Sequence, residues 1–196
     1  MRKALQHLAL PWLVALVAAT TPSLAENAPA FELKLDIDQD GKTDRAVIMQ
    51  APGEAADLYI YLGDDKADAP RQPDFVKKGL TEDQVTDLES KGKGSLSVTS
   101  CTGCGANKST EETLTIVYRR GKFLVGGYSR NWDWNQQTSS GVETTLGDCD
   151  INYLTGKGTA SKDLGEGKPI RGRFKPVPLK DWSAKMRPKA CNFRRG

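Results

Sequence analysis

The sequence has almost no histidine: the single one, His7, lies within the first ten residues. The rest of the chain therefore excludes serine or cysteine nucleophiles that depend on a histidine base, and zinc sites built on imidazole. Any catalysis there would have to use carboxylates, lysines, cysteines or backbone groups. Aromatic residues are also few, at 7% of the chain, so each tryptophan is a candidate for either core packing or ligand contact.

The chain also lacks an apolar run of the roughly 20 residues that a membrane-spanning helix needs. Its longest apolar run, 8–19, follows two basic residues, contains Pro11 and precedes small residues that end at Ala25. This order is typical of a cleaved secretory signal. We expect residues 1–25 to be removed, leaving a periplasmic or secreted protein without a transmembrane anchor. A retained N-terminal anchor is the alternative.

Charge is unevenly distributed over residues 26–196, a length that predicts a single domain. Residues 31–90 hold fifteen acidic and seven basic residues, whereas the basic C-terminal tail, 166–196, holds two acidic and ten basic residues. The tail either faces the acidic half or binds an anionic partner such as an envelope polymer. Nucleic acid is not an expected partner.

Four cysteines follow the predicted signal: Cys101, Cys104, Cys149 and Cys191. An even count in an exported protein predicts two disulfides, for which three pairings are possible. We favour Cys101–Cys104 with Cys149–Cys191, because the first pair is close in sequence and the second would pin the C-terminal tail. The alternative is a redox C-x-x-C motif, but its Gly, Ser and Asn neighbours predict a loop rather than the helix N-terminus that lowers a thiol pKa.

Strand patterns dominate the sequence. In residues 31–37 apolar and polar side chains alternate, as in a half-buried strand, and Arg119 to Lys122 predict a tight hairpin turn. Helix signals are limited to a capping-box pattern at Thr81 that predicts a helix to about Leu88, and to a short turn near 181–185. We expect a mainly β fold, an antiparallel sheet or sandwich with one or two short helices. The strands are predicted at 31–37, 46–49, 58–62, 96–98, 113–118 and 123–125, with weaker candidates at 149–154 and 170–174.

One motif carries specific chemistry, in the hairpin predicted over residues 31–50. Aspartates occupy positions 1, 3, 5 and 9 of a loop whose position 6 is glycine. Calcium takes six to eight hard oxygen ligands, and alternate residues of a tight loop can direct their side chains at one centre. The four side chains repel one another unless a cation lies among them. The predicted ligands are Asp36, Asp38, Asp40 and Asp44, with the carbonyl of Lys42 as a fifth. A polar hairpin turn without metal is the alternative.

This stretch resembles the D-x-D-x-D-G-x-x-D calcium loop of EF-hands, dockerins and integrin-type FG-GAP repeats. The resemblance covers only nine residues. It departs from the EF-hand because position 12 is Val47 in place of a bidentate glutamate, and because predicted strands flank the loop, as in the FG-GAP arrangement. It implies side-chain ligation by the four aspartates. Residues 113–127 and 149–158 are similar to exported proteins of Gram-negative bacteria that have no assigned activity.

Two further groups are weaker candidates. Trp132 and Trp134 lie on one side of an extended segment with Asp133 between them, and such a pair can stack on sugar rings or pack in a core. Asp148 and Asp150 could offer paired carboxylates for hydrolysis. We expect a non-catalytic exported binding protein with a structural calcium site, its partner a protein or an anionic envelope polymer. The alternatives are an envelope glycan hydrolase that uses carboxylates, and a periplasmic inhibitor or immunity protein.

Overall fold

A computed structural model describes residues 28–63, 71–162, 165–170 and 172–192. The predicted signal, residues 1–25, lies outside the described residues, as does the end of the basic tail. The described chain is built from two antiparallel sheets and short 3-10 turns, which confirms the mainly β prediction.

The first sheet has four strands in the order in which they occur along the chain. Its first hairpin pairs Leu35 with Asp44, so the aspartate loop connects its two strands. The second hairpin pairs Ile48 with Leu58, and both side chains are fully buried. The strands are β1 (Phe31–Leu35), β2 (Asp44–Met49), β3 (Ala56–Tyr61) and β4 (Phe75–Thr81).

The second sheet is also a meander, in which each strand from β5 to β11 pairs with its neighbours along the chain. Its centre is formed by long strands that pair over nearly their whole length. A short final strand, β12, pairs with β8 at Leu124 and Val125, beyond the last residue that β9 covers. The strands are β5 (Gln84–Ser90), β6 (Ser95–Thr102), β7 (Lys108–Arg119), β8 (Lys122–Thr138), β9 (Gly141–Asn152), β10 (Lys157–Lys162), β11 (Lys168–Pro169) and β12 (Val177–Pro178).

The helix predicted from Thr81 to Leu88 is wrong, because this segment forms strand β5. A β-bulge between Val85 and Asp87 inserts one extra residue. Val85 and Leu88 therefore both face the core although they are three residues apart, a spacing that resembles that of a helix face. The Thr81 hydroxyl accepts a hydrogen bond from Asp83 N at 3.1 Å, which makes a local turn instead of a helix cap.

The strand predicted at 170–174 is wrong for the described residues of that range, 170 and 172–174, which lie in no strand. Strand β11 ends at Pro169, which pairs with Thr159. Proline has no N–H to donate, so it is a poor residue through which to extend a ladder. The hairpin predicted around Arg119 to Lys122 is confirmed. Its two turn residues, Arg120 and Gly121, have φ values of 53° and 74°, as the twist of a two-residue hairpin favours.

The C-terminal segment, residues 177–191, packs across the core and contains three 3-10 turns. Turns at Leu179–Asp181 and Ala184–Met186 bracket the short helical turn predicted near 181–185, and a third follows at Lys189–Cys191. Trp182 is buried and its ring centroid lies 6.0 Å from that of Tyr128. This segment thereby closes the core, whose largest fully buried apolar residues are Ile37, Ile48, Leu58, Ile60, Leu96, Ile116, Val125, Ile151 and Leu179.

Ion pairs attach Arg187 of the C-terminal segment to Asp83, between β4 and β5, and to Glu112 on β7. Arg187 Nε lies 2.7 Å from Glu112 Oε2, and Arg187 Nη2 donates to Asp83 Oδ2 at 3.0 Å. Arg130 Nε lies 3.6 Å from the other oxygen of Glu112. Since Asp83 belongs to the acidic half, part of the basic tail does face that half, as one of the two charge hypotheses expected.

Candidate metal centre

The aspartate loop is shaped by two residues with left-handed backbone. Gln39 has φ 64° and Gly41 has φ 87°, in a conformation that glycine adopts without steric cost. These residues reverse the chain between β1 and β2 over only eight residues. The tight reversal directs the side chains of alternate residues toward one another.

Three of the four predicted aspartate ligands come together in this loop. Carboxylate oxygens of Asp36, Asp38 and Asp40 all lie within 4.8 Å of one another. Oxygens that share one cation at calcium's usual ligand distance of about 2.4 Å can be at most about 4.8 Å apart. The three carboxylates could therefore hold a metal ion.

Backbone N–H groups of the loop orient these carboxylates. Asp36 accepts through Oδ1 from Asp40 N and through Oδ2 from Gly41 N, both at 3.1 Å. Asp38 Oδ1 also accepts from Asp40 N at 3.1 Å, and Asp40 Oδ1 accepts from Lys42 N at 2.8 Å. Local hydrogen bonds of this kind hold side chains that would otherwise repel one another.

The pKa values of Asp38 and Asp40 are shifted in opposite directions. Burial and the neighbouring carboxylates of Asp44, Asp40 and Asp36 raise the pKa of Asp38 above its usual value. Hydrogen bonds from the backbone and side chain of Lys42 lower the pKa of Asp40. The ammonium of Lys42 lies 3.0 Å from Asp40 Oδ2. The single charge of Lys42 is smaller than the combined charge of the three carboxylates, so a divalent cation would neutralise more of that charge.

Asp44, the fourth predicted ligand, has a different environment. It is fully buried, and its Oδ1 accepts from Gly63 N at 2.7 Å. Its Oδ2 accepts from Ile37 N at 2.7 Å and from Asp38 N at 3.4 Å. Both oxygens are therefore engaged by backbone donors, and Asp44 joins the loop to the end of β3. The carbonyl of Lys42 as a ligand stays a prediction.

Both favoured disulfides are confirmed, and no cysteine is free. The Cys101–Cys104 bond spans the β6–β7 turn, and the Cys149–Cys191 bond attaches the C-terminal segment to β9. Two disulfides fit an oxidising compartment. The first pair lies in a hairpin and not at the helix N-terminus that a reactive thiolate favours, so its geometry supports a structural role.

Trp132 and Asp133 both line one open depression on the second sheet, although alternate residues of a strand point to opposite faces. Trp132 and Trp134 alternate with Asp133 along β8. The Trp132 indole covers Gly147 on the paired strand, where an added Cβ would lie 2.4 Å from Nε1. Asp133 instead accepts a hydrogen bond from Ser109 Oγ on β7. An indole on a sheet glycine is a packing arrangement.

Asp133 and Asp148 line one open depression of about 430 Å³ on the polar face of the second sheet. Asp148 accepts from Ser161 Oγ. Asp150 lies two residues further along β9, and burial together with the charge of Asp148 raises its pKa above the usual value. These carboxylates share one face, which is the arrangement that the hydrolase alternative requires.

Sequence reasoning missed three cations beside the aspartate loop. Lys93 from the β5–β6 turn, and Arg119 and Arg120 from the β7–β8 turn, line an open depression that also includes Asp38. These residues are at least 55 positions from Asp38 in the chain. The turns were visible in the sequence, but nothing in it indicated that the fold brings them to the loop.

None of the 3-10 turns in the described chain has the length or apolar character of a membrane-spanning helix. The chain matches no protein family model, no curated protein and no solved structure. The similarity to Gram-negative exported proteins therefore stays a prediction, and the function has to rest on the chemistry of the chain's own residues.

Proposed function

We propose that this chain is an exported, non-catalytic binding protein whose aspartate loop holds a structural calcium ion. The convergence of the Asp36, Asp38 and Asp40 carboxylates carries the proposal. Calcium suits an all-oxygen ligand set in a loop of irregular geometry, whereas magnesium needs a near-ideal octahedron. Transition metals that prefer imidazole or thiolate have no such ligand in this loop.

The ion's role is to fix the first hairpin. Asp44 already ties the loop to β3, and Ile37 in the loop is fully buried in the core. A cation among the three carboxylates would remove their mutual repulsion and favour the folded loop. Binding to the folded state alone stabilises it by about 2.7 kcal/mol at a ligand concentration one hundred times the Kd.

Calcium titration of the exported protein tests the proposal. We expect heat of binding and a rise in melting temperature with millimolar calcium, reversed by chelation, and a weaker response to magnesium. The triple variant Asp36→Asn, Asp38→Asn, Asp40→Asn should lose both responses. Glu54→Gln removes an exposed carboxylate of the same sheet outside the loop and serves as the matched control. A wild-type protein with neither heat nor melting shift would overturn the calcium site.

The binding role is tested by recovering the protein from its own compartment. We expect the mature chain to begin after Ala25 and to be found in the periplasm or the medium with an envelope protein or an anionic polymer. An intact mass that includes Met1 would contradict the cleavage. Loss of the co-purified partner in high salt would indicate that the basic tail contributes to the contact.

Carboxylate-based hydrolysis of an envelope glycan is the second candidate, favoured by the raised pKa of Asp150 beside Asp148. Two neighbouring carboxyl groups in unequal environments are the pairing that general acid–base catalysis uses. Asp133→Asn, Asp148→Asn and Asp150→Asn would abolish turnover of a glycan substrate by a hydrolase. A binding protein would show no turnover in any of these forms.

A further inference from the structure

The aspartate loop forms one wall of an open depression of about 600 Å³. The loop contributes Asp38 and Gln39 to it. The second sheet supplies the remaining lining residues, which are Lys93 in the β5–β6 turn, Tyr118 and Arg119 at the end of β7, and Arg120 in the β7–β8 turn. We call this feature the basic depression, because three of its six lining residues are cationic and one is acidic.

Direct contacts hold the loop against the Lys93 turn. Gln39 Nε2 donates to the carbonyl of Lys93 at 3.2 Å. Gly94 packs so closely that an added Cβ would lie 2.6 Å from both Ile37 O and Gln39 Nε2. The cation of Lys93 is therefore carried on a turn whose position relative to the aspartates is fixed by packing.

The backbone at this depression is unusual for the described chain. Gln39, Lys93 and Arg120 have φ values of 64°, 48° and 53°, and they are the non-glycine residues with positive φ among those described. All three line the basic depression. Long side chains are uncommon in this conformation, where Gly or Asn is favoured. At Arg120 this conformation belongs to the two-residue hairpin turn, which fixes where its side chain leaves the backbone.

Among the described residues, none of the three cations forms an ion pair. In the described residues no carboxylate oxygen lies within 4.0 Å of the charged nitrogens of Lys93, Arg119 or Arg120. Arg119 Nη1 donates to the carbonyl of Tyr118 at 2.7 Å, which orients its guanidinium without reducing its charge. Three exposed cations around one depression favour an anionic ligand.

We propose that the basic depression binds a phosphate group, and that the metal ion of the aspartate loop strengthens this binding. Guanidinium groups match the oxygen spacing of phosphate through paired N–H donors. The loop provides three carboxylates where calcium takes six to eight oxygens, so phosphate oxygens can complete its coordination from the Asp38 side. The coupling rests on the proposed calcium site.

The coupling has a defined electrostatic origin. Without metal, the negative loop offsets the charge of the three cations beside it. A divalent ion in the loop removes that offset and increases the positive potential of the depression. By linkage, phosphate must then raise the affinity for calcium by the same factor as calcium raises the affinity for phosphate.

Calorimetric titration with glycerol 1-phosphate, with and without calcium at constant ionic strength, tests the proposal. We expect calcium to tighten phosphate binding by at least about fivefold. Arg119→Gln with Arg120→Gln should weaken it by about tenfold or more while calcium binding persists. The control, Arg173→Gln with Lys175→Gln, removes the same charge from exposed positions of the C-terminal tail and should leave phosphate binding unchanged.

A second variant, Arg120→Asn, distinguishes a loss of phosphate binding from a loss of folding. Arg120→Asn places a residue that accepts positive φ at the turn, so its melting temperature should equal or exceed that of the wild type while phosphate affinity falls. Vesicles of phosphatidylcholine with and without phosphatidylglycerol separate a lipid headgroup from a soluble phosphate ester as the source of the anion.

The two proposals fail in different ways. Calcium binding without phosphate binding, or phosphate binding that is equal in the wild type and the Arg119→Gln, Arg120→Gln variant, overturns the phosphate site and leaves the calcium site intact. Phosphate binding that depends on the arginines in a protein that binds no calcium overturns the calcium site and the coupling together.

Discussion

Asp44 Oδ1 lies 2.7 Å from the backbone nitrogen of Gly63, so a carboxylate at the start of β2 fixes the end of β3. Its other oxygen binds Ile37 N at 2.7 Å and thereby holds the aspartate loop. A fully buried carboxylate is tolerated here because these backbone donors satisfy it. The four aspartates of the motif thus divide into three that face one another and one that supports them.

Asp44→Asn should therefore destabilise the protein in the absence of calcium. The amide retains one oxygen acceptor but turns an NH₂ group toward a backbone N–H, so we expect a loss of about 2 to 3 kcal/mol in the free energy of unfolding. Urea denaturation in chelator measures it. Asp40→Asn is the control, because Asp40 is exposed and the relief of carboxylate repulsion should keep the metal-free stability at or above that of the wild type. Equal stabilities of the two variants would contradict the division of roles.

The two disulfides should contribute unequally to stability. Cys149–Cys191 closes 42 residues of chain and Cys101–Cys104 closes three. The chain-entropy model assigns about 4 kcal/mol to the longer loop and about 2 kcal/mol to the shorter one. Cys149→Ser with Cys191→Ser should also free the C-terminal segment, which near-UV circular dichroism of Trp182 would report. A larger loss from the Cys101→Ser, Cys104→Ser variant would contradict this order.

Buried tyrosines should make the fold sensitive to alkali. Burial raises the pKa of Tyr153 from 10.0 to about 12, and burial with the charge of Glu112 raises that of Tyr128 in the same direction. The folded state therefore disfavours the phenolate, so stability present below pH 10 is lost as the pH rises through about 12. Tyr153→Phe keeps the ring against Phe174 and should reduce this loss. Melting temperatures of the wild type and the Tyr153→Phe variant, measured from pH 9 upward, check this prediction. If the melting temperatures of both proteins fell equally with pH, the prediction would be wrong.

Sequence features predicted what depends on local pattern. Alternating apolar residues gave the strands, cysteine count and separation gave the disulfides, and aspartate spacing gave the loop whose three carboxylates converge. The helix prediction at Thr81 failed because the bulge after Val85 produces a helix-like spacing within a strand. A bulge depends on pairing with β6, which the local sequence does not reveal.

The features that the sequence did not predict depend on contacts between segments that are far apart in the chain. The approach of Lys93, Arg119 and Arg120 to the aspartate loop requires two turns of the second sheet to meet a loop of the first. Asp44 matched the ligand spacing, yet the fold brings Gly63 N within bonding distance of its carboxylate and gives it a structural partner. Motif spacing identifies which side chains belong to one loop, but not which backbone donors the fold brings to each of them. Asp44 as a metal ligand stays a prediction.

Two glycines in the turn that carries Lys93 test whether the aspartate loop depends on its contact with that turn. They have the same backbone conformation, but only Gly94 packs against the loop. Gly92 and Gly94 have φ values of 72° and 68°. An added Cβ meets nothing within 4 Å at Gly92, whereas at Gly94 it would lie 2.6 Å from Ile37 O. Gly92→Ala should cost only the left-handed backbone penalty of about 1 to 2 kcal/mol.

Gly94→Ala carries the same backbone penalty and must also push the loop away from the turn. We expect it to lower the free energy of unfolding by at least about 1 kcal/mol more than Gly92→Ala, since a backbone carbonyl cannot move as a flexible side chain does. It should weaken calcium binding as well, because the displaced Ile37 lies between Asp36 and Asp38. Parallel denaturation and calcium titrations of the two variants measure both effects. If the variants lost equal stability and bound calcium equally, the loop would not depend on this contact.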